Sequence, residues 1–242
     1  MKNSFKTLQF DDCALRTTRI DIWQYSLQTE FKDARSLLNC GEIARADRYY
    51  FDKHRRRFIV ARGLLRLILA HYTSIPPTHL IFQSNQYGKP RLQNEPMLEF
   101  NLSHSEDTAL LAIGCTLPLG IDLEFFSARP YQGIGCQMFS SAENQALKNT
   151  TKVLQPLIFF HIWSQKEAFI KACGLGLSYP TKAFDVPVHP STSQMIFDSL
   201  HGQKWQLISF QPMINCCAAL CFHSQITDIR YHVLEKPEML IK

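Results

Sequence analysis

The stretch WSQKEAFIKACGLGL, residues 163–177, overlaps a longer run, Phe159 to Cys173, whose apolar residues recur at helical spacing and which Gly174 ends. Ahead of it, Ser140 and Ser141 with Glu143 mark a helix start, with the acid in the first turn. Behind it, Phe184 to Val188, Met195 to Phe197, Trp205 to Phe210 and Cys216 to Phe222 read as strands. The first part of the chain has the same order. Arg55 to His71 (RRRFIVARGLLRLILAH) has helical spacing, and Ser74 to Pro77 stops it. Leu80 to Gln83, Phe100 to Ser103, Ala109 to Gly114 and Leu119 to Leu123 follow as strands, and Ile20 to Leu27 precedes as another. A long helix followed by several strands, twice over, predicts an α+β fold of two similar halves. The halves are expected to meet near Leu117 to Gly120, giving residues 1–117 and 118–242.

Composition narrows the class. The 242 residues are 45% hydrophobic and 19% charged, enough for a real core, which excludes disordered and collagen-like chains. No window reaches the ~18 apolar residues of a membrane span. The opening MKNSFKTLQFDDC has no continuous apolar run, so no signal peptide is expected, and the 8 cysteines are expected to be reduced thiols of a cytoplasmic protein. Cys216, Cys217, Cys221 and His223 cluster without a paired C-x₂-C knuckle, which argues against zinc. In a strand Cys217 and Cys221 share one face and Cys216 takes the other, as core filler. The net charge of +5 suits an anionic ligand or an acidic partner. Arg45, Arg48, Arg55, Arg56 and Arg57 are offset by Asp47 and Asp52, so nucleic acid is not the expected partner.

Four segments carry candidate chemistry. Gly88-Lys89-Pro90 presents a lysine on a rigid turn, or is a plain surface turn. In Phe100-Asn101-Leu102-Ser103-His104-Ser105, adjacent Ser and His point opposite ways in an extended chain. That is poor geometry for a hydrolase, so the pair reads as an anion site or as turn capping. In Leu119-Gly120-Ile121-Asp122-Leu123-Glu124, the two acids share a strand face while Ile121 and Leu123 face the core. They are hard ligands for Mg²⁺ with phosphate, or a solvated polar face. Glu167 and Lys171, four apart, share a helix face as candidate site residues, or form a plain surface ion pair; Lys166 adds a second cation.

In this order and spacing, GKP, FNLSHS, GIDLE and WSQKEAFIKACGLGL resemble the Sfp-type 4′-phosphopantetheinyl transferases, over about Ile20 to Phe222. Leu123 stands where many members carry a β-branched residue, and Arg45 and Arg48 where some carry lysines. The resemblance implies two pseudo-twofold halves, each a long helix on a small, mostly antiparallel sheet, with the active site in the cleft between them. It implies transfer of the phosphopantetheine arm of coenzyme A to a carrier-protein serine, releasing adenosine 3′,5′-bisphosphate. By the same resemblance Asp122, Glu124 and Glu167 hold Mg²⁺, and Lys166 and Lys171 contact the pyrophosphate, Lys171 stabilising the leaving group. Arg45, Arg48, Arg62, Lys89, Ser103 and His104 grip the nucleotide end, and Glu143 is auxiliary. The base toward the serine is Glu167, directly or through water, or another group such as water on the metal. The expected partner is an acidic carrier protein of fatty-acid, polyketide, peptide or lysine biosynthesis, and the expected state is a monomer. A non-catalytic coenzyme A-binding module would have lost one or more of the three carboxylates; all three are present.

Overall fold

A computed structural model describes residues 6–7, 13–189 and 193–240; the opening stretch read for a leader lies almost wholly outside them. The first part runs β1 (Lys6–Thr7), β2 (Arg19–Ser26), α1 (Cys40–Asp47), α2 (Asp52–Thr73), β3 (Phe82–Ser84), β4 (Pro90–Leu92), β5 (Leu98–Ser105) and β6 (Thr108–Cys115). The second runs β7 (Leu119–Phe125), α3 (Tyr131–Met138), α4 (Ser141–Asn149), α5 (Gln155–Cys173), β8 (Gln194–Asp198), β9 (Gln203–Phe210), β10 (Cys216–His223) and β11 (Asp228–Leu234).

The strands build two main sheets, ordered β1-β11-β2-β6-β5 and β7-β10-β9-β8, and a separate β3-β4 hairpin around the Gly-Lys-Pro turn. Their sequences alternate in the way that lets each sheet bury both faces. Trp23, Tyr25, Ala109, Leu111 and Ile113 pack against α2, while Ile20, Ile22, Leu110 and Ala112 face the other sheet. Cys217, Ala219 and Cys221 pack against α5, while Cys216, Ala218, Leu220 and Phe222 join Leu119, Ile121 and Leu123 in the core between the sheets. The result is four layers, helix–sheet–sheet–helix, with two similar halves. The alternating cysteines Cys216, Cys217 and Cys221 fill two different cores as their spacing predicts.

Several local signals act as read. Ser140 caps α4 in a capping box with Glu143. Gly174 ends α5 in the left-handed region, φ 73°. Other readings need correction. Phe184 to Val188 is not a strand. Lys166 Nζ donates to Phe184 O (2.8 Å), Val186 N to Glu143 Oε1 (2.8 Å) and Gln165 Nε2 to Pro187 O (2.8 Å), so side chains satisfy groups a ladder would need. The boundary at residue 117 does not hold at the far end either. β11 returns to the first half and pairs in parallel with β2 on the edge that β6 leaves open, and Leu234 and Leu240 enter the core around α2.

Lys166 is a further correction. It is buried on the face of α5 away from the cleft, 2.9 Å from Glu143 Oε2, and donates to Thr181 O at 2.7 Å. Neighbouring residues on a helix point about 100° apart, so Lys166 cannot share the face of Glu167. Its partner Glu143 also accepts from Ser140 N, and the pair ties α4 and the segment after α5 to that helix. Neither reaches the cleft.

Gly120 sets the approach of α5 to β7. A Cβ there would overlap the Ala168 carbonyl oxygen and the Ala172 amide nitrogen, both helix backbone. Gly120→Ala is therefore expected to lose about 3 kcal/mol in urea unfolding, whereas Gly133→Ala, with open space around it, should be neutral or slightly stabilising. Glu143→Ala strands a buried ammonium and should cost about 3–5 kcal/mol by the same measurement. The double change Glu143→Leu with Lys166→Met should cost much less.

Candidate active site

Strand β5 meets β7 where the edges of the two sheets come together, and side chains make the join. Ile121 N donates to Asn101 Oδ1 (2.8 Å), Leu123 N to Ser103 Oγ (3.3 Å) and Phe125 N to Ser105 Oγ (3.0 Å). Asn101, Ser103 and Ser105 alternate along one face of β5, and each satisfies an edge N–H of β7. This is the structural work of the FNLSHS motif. It also fixes where Asp122 and Glu124 stand, since they are the intervening residues of β7 and face α5.

There Asp122, Glu124, Glu167 and Lys171 converge. Lys171 Nζ lies 2.6 Å from Asp122 Oδ1 and also donates to Ser103 Oγ (3.1 Å) and Ile121 O (3.3 Å). Ser103 Oγ donates to the same Asp122 oxygen at 2.9 Å. Glu124 accepts from Trp163 Nε1 (3.1 Å) and from Arg129 Nη2 (3.4 Å). Burial, and then the charge of Asp122, push the Glu167 carboxyl up to about 7; Lys171 pulls the other way and Glu124 adds to the rise. Burial and Asp122 raise Glu124 as well.

This donor set fits a hard divalent cation. Asp122 Oδ2 is buried with no hydrogen-bond partner, and two of the three carboxylates are held above their ordinary range by burial and mutual repulsion. Among the described residues no three such ligands are already gathered as a metal cage, and Lys171 and Arg129 stand against two of the carboxylates.

Beside Glu124 a cavity of about 620 Å³ opens toward the first half. Glu124 and Arg129 border it on one side, and Arg45, Arg57, Arg62 and His104 on the other. Arg62 pairs with Glu42 and lies over the Phe82 ring at 4.4 Å; Arg45 lies over Phe58 at 5.2 Å. Burial, with Lys171 and Arg57, lowers the His104 imidazole and favours its neutral form. Three residues expected at the nucleotide end are placed elsewhere. Arg48 is exposed and does not line the cavity. Ser103 is turned into the Asp122–Lys171 cluster. Lys89 Nζ donates to Leu119 O (3.0 Å) and Ala172 O (3.3 Å), pinning the Gly-Lys-Pro turn to the second half. Lys89, Asn101, Glu167 and Lys171 also border a smaller cavity of about 290 Å³.

Reading the sequence missed Arg57, Arg129 and the bridging roles of Asn101 and Ser105. The period-two spacing of residues 101, 103 and 105 was a usable signal for the bridge. Nothing in the sequence marked Arg129, which reaches Glu124 only through the loop after β7.

Residues 118–219 match the family model described as the 4′-phosphopantetheinyl transferase superfamily, and residues 22–116 match that of the 4′-phosphopantetheinyl transferase N-terminal region. The chain is 33% identical over 215 residues to 4′-phosphopantetheinyl transferase HetI of Nostoc sp., covering 85% of this chain and 88% of the relative. It is 31% identical over 213 residues to 4′-phosphopantetheinyl transferase Sfp of Bacillus subtilis, covering 86% and 94%. It is 26% identical over 186 residues to L-aminoadipate-semialdehyde dehydrogenase-phosphopantetheinyl transferase of Rattus norvegicus, covering 68% and 60%. Two halves each matched by a model of the same family, with relatives above 30% identity over most of the chain, place this chain in the 4′-phosphopantetheinyl transferase superfamily.

Proposed function

We propose that this chain transfers the 4′-phosphopantetheine arm of coenzyme A to a serine of an acidic carrier protein. The observation that carries the reading is the Asp122–Glu124–Glu167 cluster with Lys171, whose Glu124 borders a cavity walled by arginines. Asp122, through its unpartnered oxygen, with Glu124 and Glu167 would hold Mg²⁺. The cation would neutralise pyrophosphate charge and orient the bond being broken.

The rest falls to the chain's own side chains. Arg45, Arg57 and Arg62 with His104 offer N–H donors to the phosphates of the nucleotide end. The serine Oγ forms a bond to the β-phosphorus as the bridging P–O bond breaks, and the leaving bisphosphate takes the electron pair. Glu167 would accept the serine proton, directly or through water; burial raises its proton affinity and a bound cation would lower it. A carboxylate has two oxygens, so the same residue can serve cation and proton. Lys171 uses all three ammonium hydrogens within the cluster. Giving up its longest contact, to Ile121 O, frees one for the leaving phosphate.

Both walls of the cleft come from one chain, so the reaction needs no second copy. The +5 charge would draw an acidic carrier toward the basic cavity mouth. No helix among the described residues is long and apolar enough to cross a membrane.

The direct test incubates the protein with coenzyme A, Mg²⁺ and apo carrier proteins of fatty-acid, polyketide and peptide synthesis. Mass spectrometry should show the phosphopantetheine gain on a carrier serine; no gain on any carrier overturns the reading. Asp122→Asn should lower kcat by at least about a hundredfold, since groups that merely orient metal ligands are worth about ten- to a hundredfold. The acid–base behaviour gives a second check. Glu167 is raised, so the folded chain holds that proton more tightly than the unfolded chain. Without divalent cation, its contribution to stability is full below the ordinary value of 4.5 and is lost as pH rises through about 7. Mg²⁺ should therefore raise the melting temperature more at pH 8 than at pH 5.5, and Glu167→Gln should reduce that difference.

A further inference from the structure

Arg129 lies on the loop between β7 and α3, which Tyr131 Oη steadies by donating to Ser127 O at 2.7 Å. Its Nε donates to Ser127 Oγ (3.1 Å), its Nη2 reaches Glu124 Oε2 (3.4 Å), and its guanidinium lies over the Phe160 ring at 5.2 Å. It also lines the basic cavity, beside Glu124. It therefore touches the carboxylate cluster and the anion cavity at once.

Charge decides what such a residue does. Three carboxylates, Asp122, Glu124 and Glu167, are faced by two side-chain cations, Lys171 and Arg129. A divalent cation arriving in the cluster reverses that balance, and one of the two must loosen. Lys171 is held at 2.6 Å and its side chain is 26% exposed; Arg129 is held at 3.4 Å and is 35% exposed. Arg129 is the weaker partner. A guanidinium released at that rim still lines the cavity, and its planar fork suits the phosphate oxygens of an anionic ligand there.

We propose that Arg129 exchanges partners during the reaction: it holds Glu124 while the cluster lacks a divalent cation, and turns onto a phosphate oxygen of coenzyme A once the cation takes Glu124. This rests on the function proposed above for the cluster. It separates from a merely structural role by sign. Removing the guanidinium removes a competitor of the cation and a donor to the phosphate, so the two affinities move in opposite directions.

The test is calorimetric titration of the full chain with Mg²⁺ alone, then with coenzyme A at saturating Mg²⁺, for wild type, Arg129→Gln and Arg129→Lys. Trp163 holds the other Glu124 oxygen, while Trp23 and Trp205 are sealed in cores, so tryptophan fluorescence provides an independent reading of the cation step. Arg129→Gln should bind Mg²⁺ about fivefold more tightly, the scale of one partly exposed ion pair. It should bind coenzyme A about tenfold more weakly, the scale of one charge-assisted hydrogen bond. Arg129→Lys should keep near-wild-type Mg²⁺ affinity and recover part of the coenzyme A affinity. Shifts in the same direction, or none, overturn the proposal. If wild type binds both ligands and transfers the arm while Arg129→Gln is unchanged, the Arg129 inference falls alone. If wild type binds no Mg²⁺, the metal assignment falls with it.

Discussion

Three side chains of β5, Asn101, Ser103 and Ser105, bond the edge amides of β7 at Ile121, Leu123 and Phe125, and the rest of the site depends on this join. Two sheet edges meet there. Backbone ladder bonds between them would have fused the halves into one continuous sheet. Side-chain bridging holds the strands apart by the length of a short polar side chain, which leaves room for a cleft and still satisfies the buried amides. The join also sets orientation. With residues 121, 123 and 125 committed to the seam through their amides, the side chains of Asp122 and Glu124 are presented to α5.

The second constraint is the absence of a side chain at Gly120. It lets the backbone of α5 sit on β7, which brings Glu167 and Lys171 to the two strand acids. Close packing has an electrostatic consequence. Three carboxylates in a half-buried cleft repel one another and lose water, and Lys171 with Arg129 compensates them only partly. Folded proteins are only marginally stable, and charge clusters perturbed in this way gather at functional sites. By contrast Lys166 and Glu143, one helix face away, form a matched and enclosed pair whose effect is to hold α4 and α5 together.

The fold was legible because its signals are local and periodic. The 3.6-residue spacing of Arg55 to His71 and Phe159 to Cys173 gave the two helices, and period-two runs gave most strands. Gly174 and the Ser140–Glu143 box marked helix ends through backbone geometry that few other residues allow. Phe184 to Val188 has the composition of a strand yet finds no neighbour, and strand formation needs a partner that composition does not supply. The return of β11 to the first sheet was hidden for the same reason. A parallel pairing across two hundred residues leaves no local trace.

The chain by itself determined the residue types and their faces: which acids share a strand side, which lysine lies four residues from Glu167, and which cysteines fill which core. Those follow from period and chirality, which are properties of any L-peptide in helix or strand. Tertiary structure alone decided the partners. It turned Lys166 inward and Lys171 outward, gave Ser103 and Lys89 to the seam rather than to the cavity, and brought Arg129 and Arg57 to its wall. A side chain's charge is written in the sequence, but its work depends on which opposite charge, carbonyl or cavity lies within about 3 Å. That distance is set only when two sheets and two helices have closed around it.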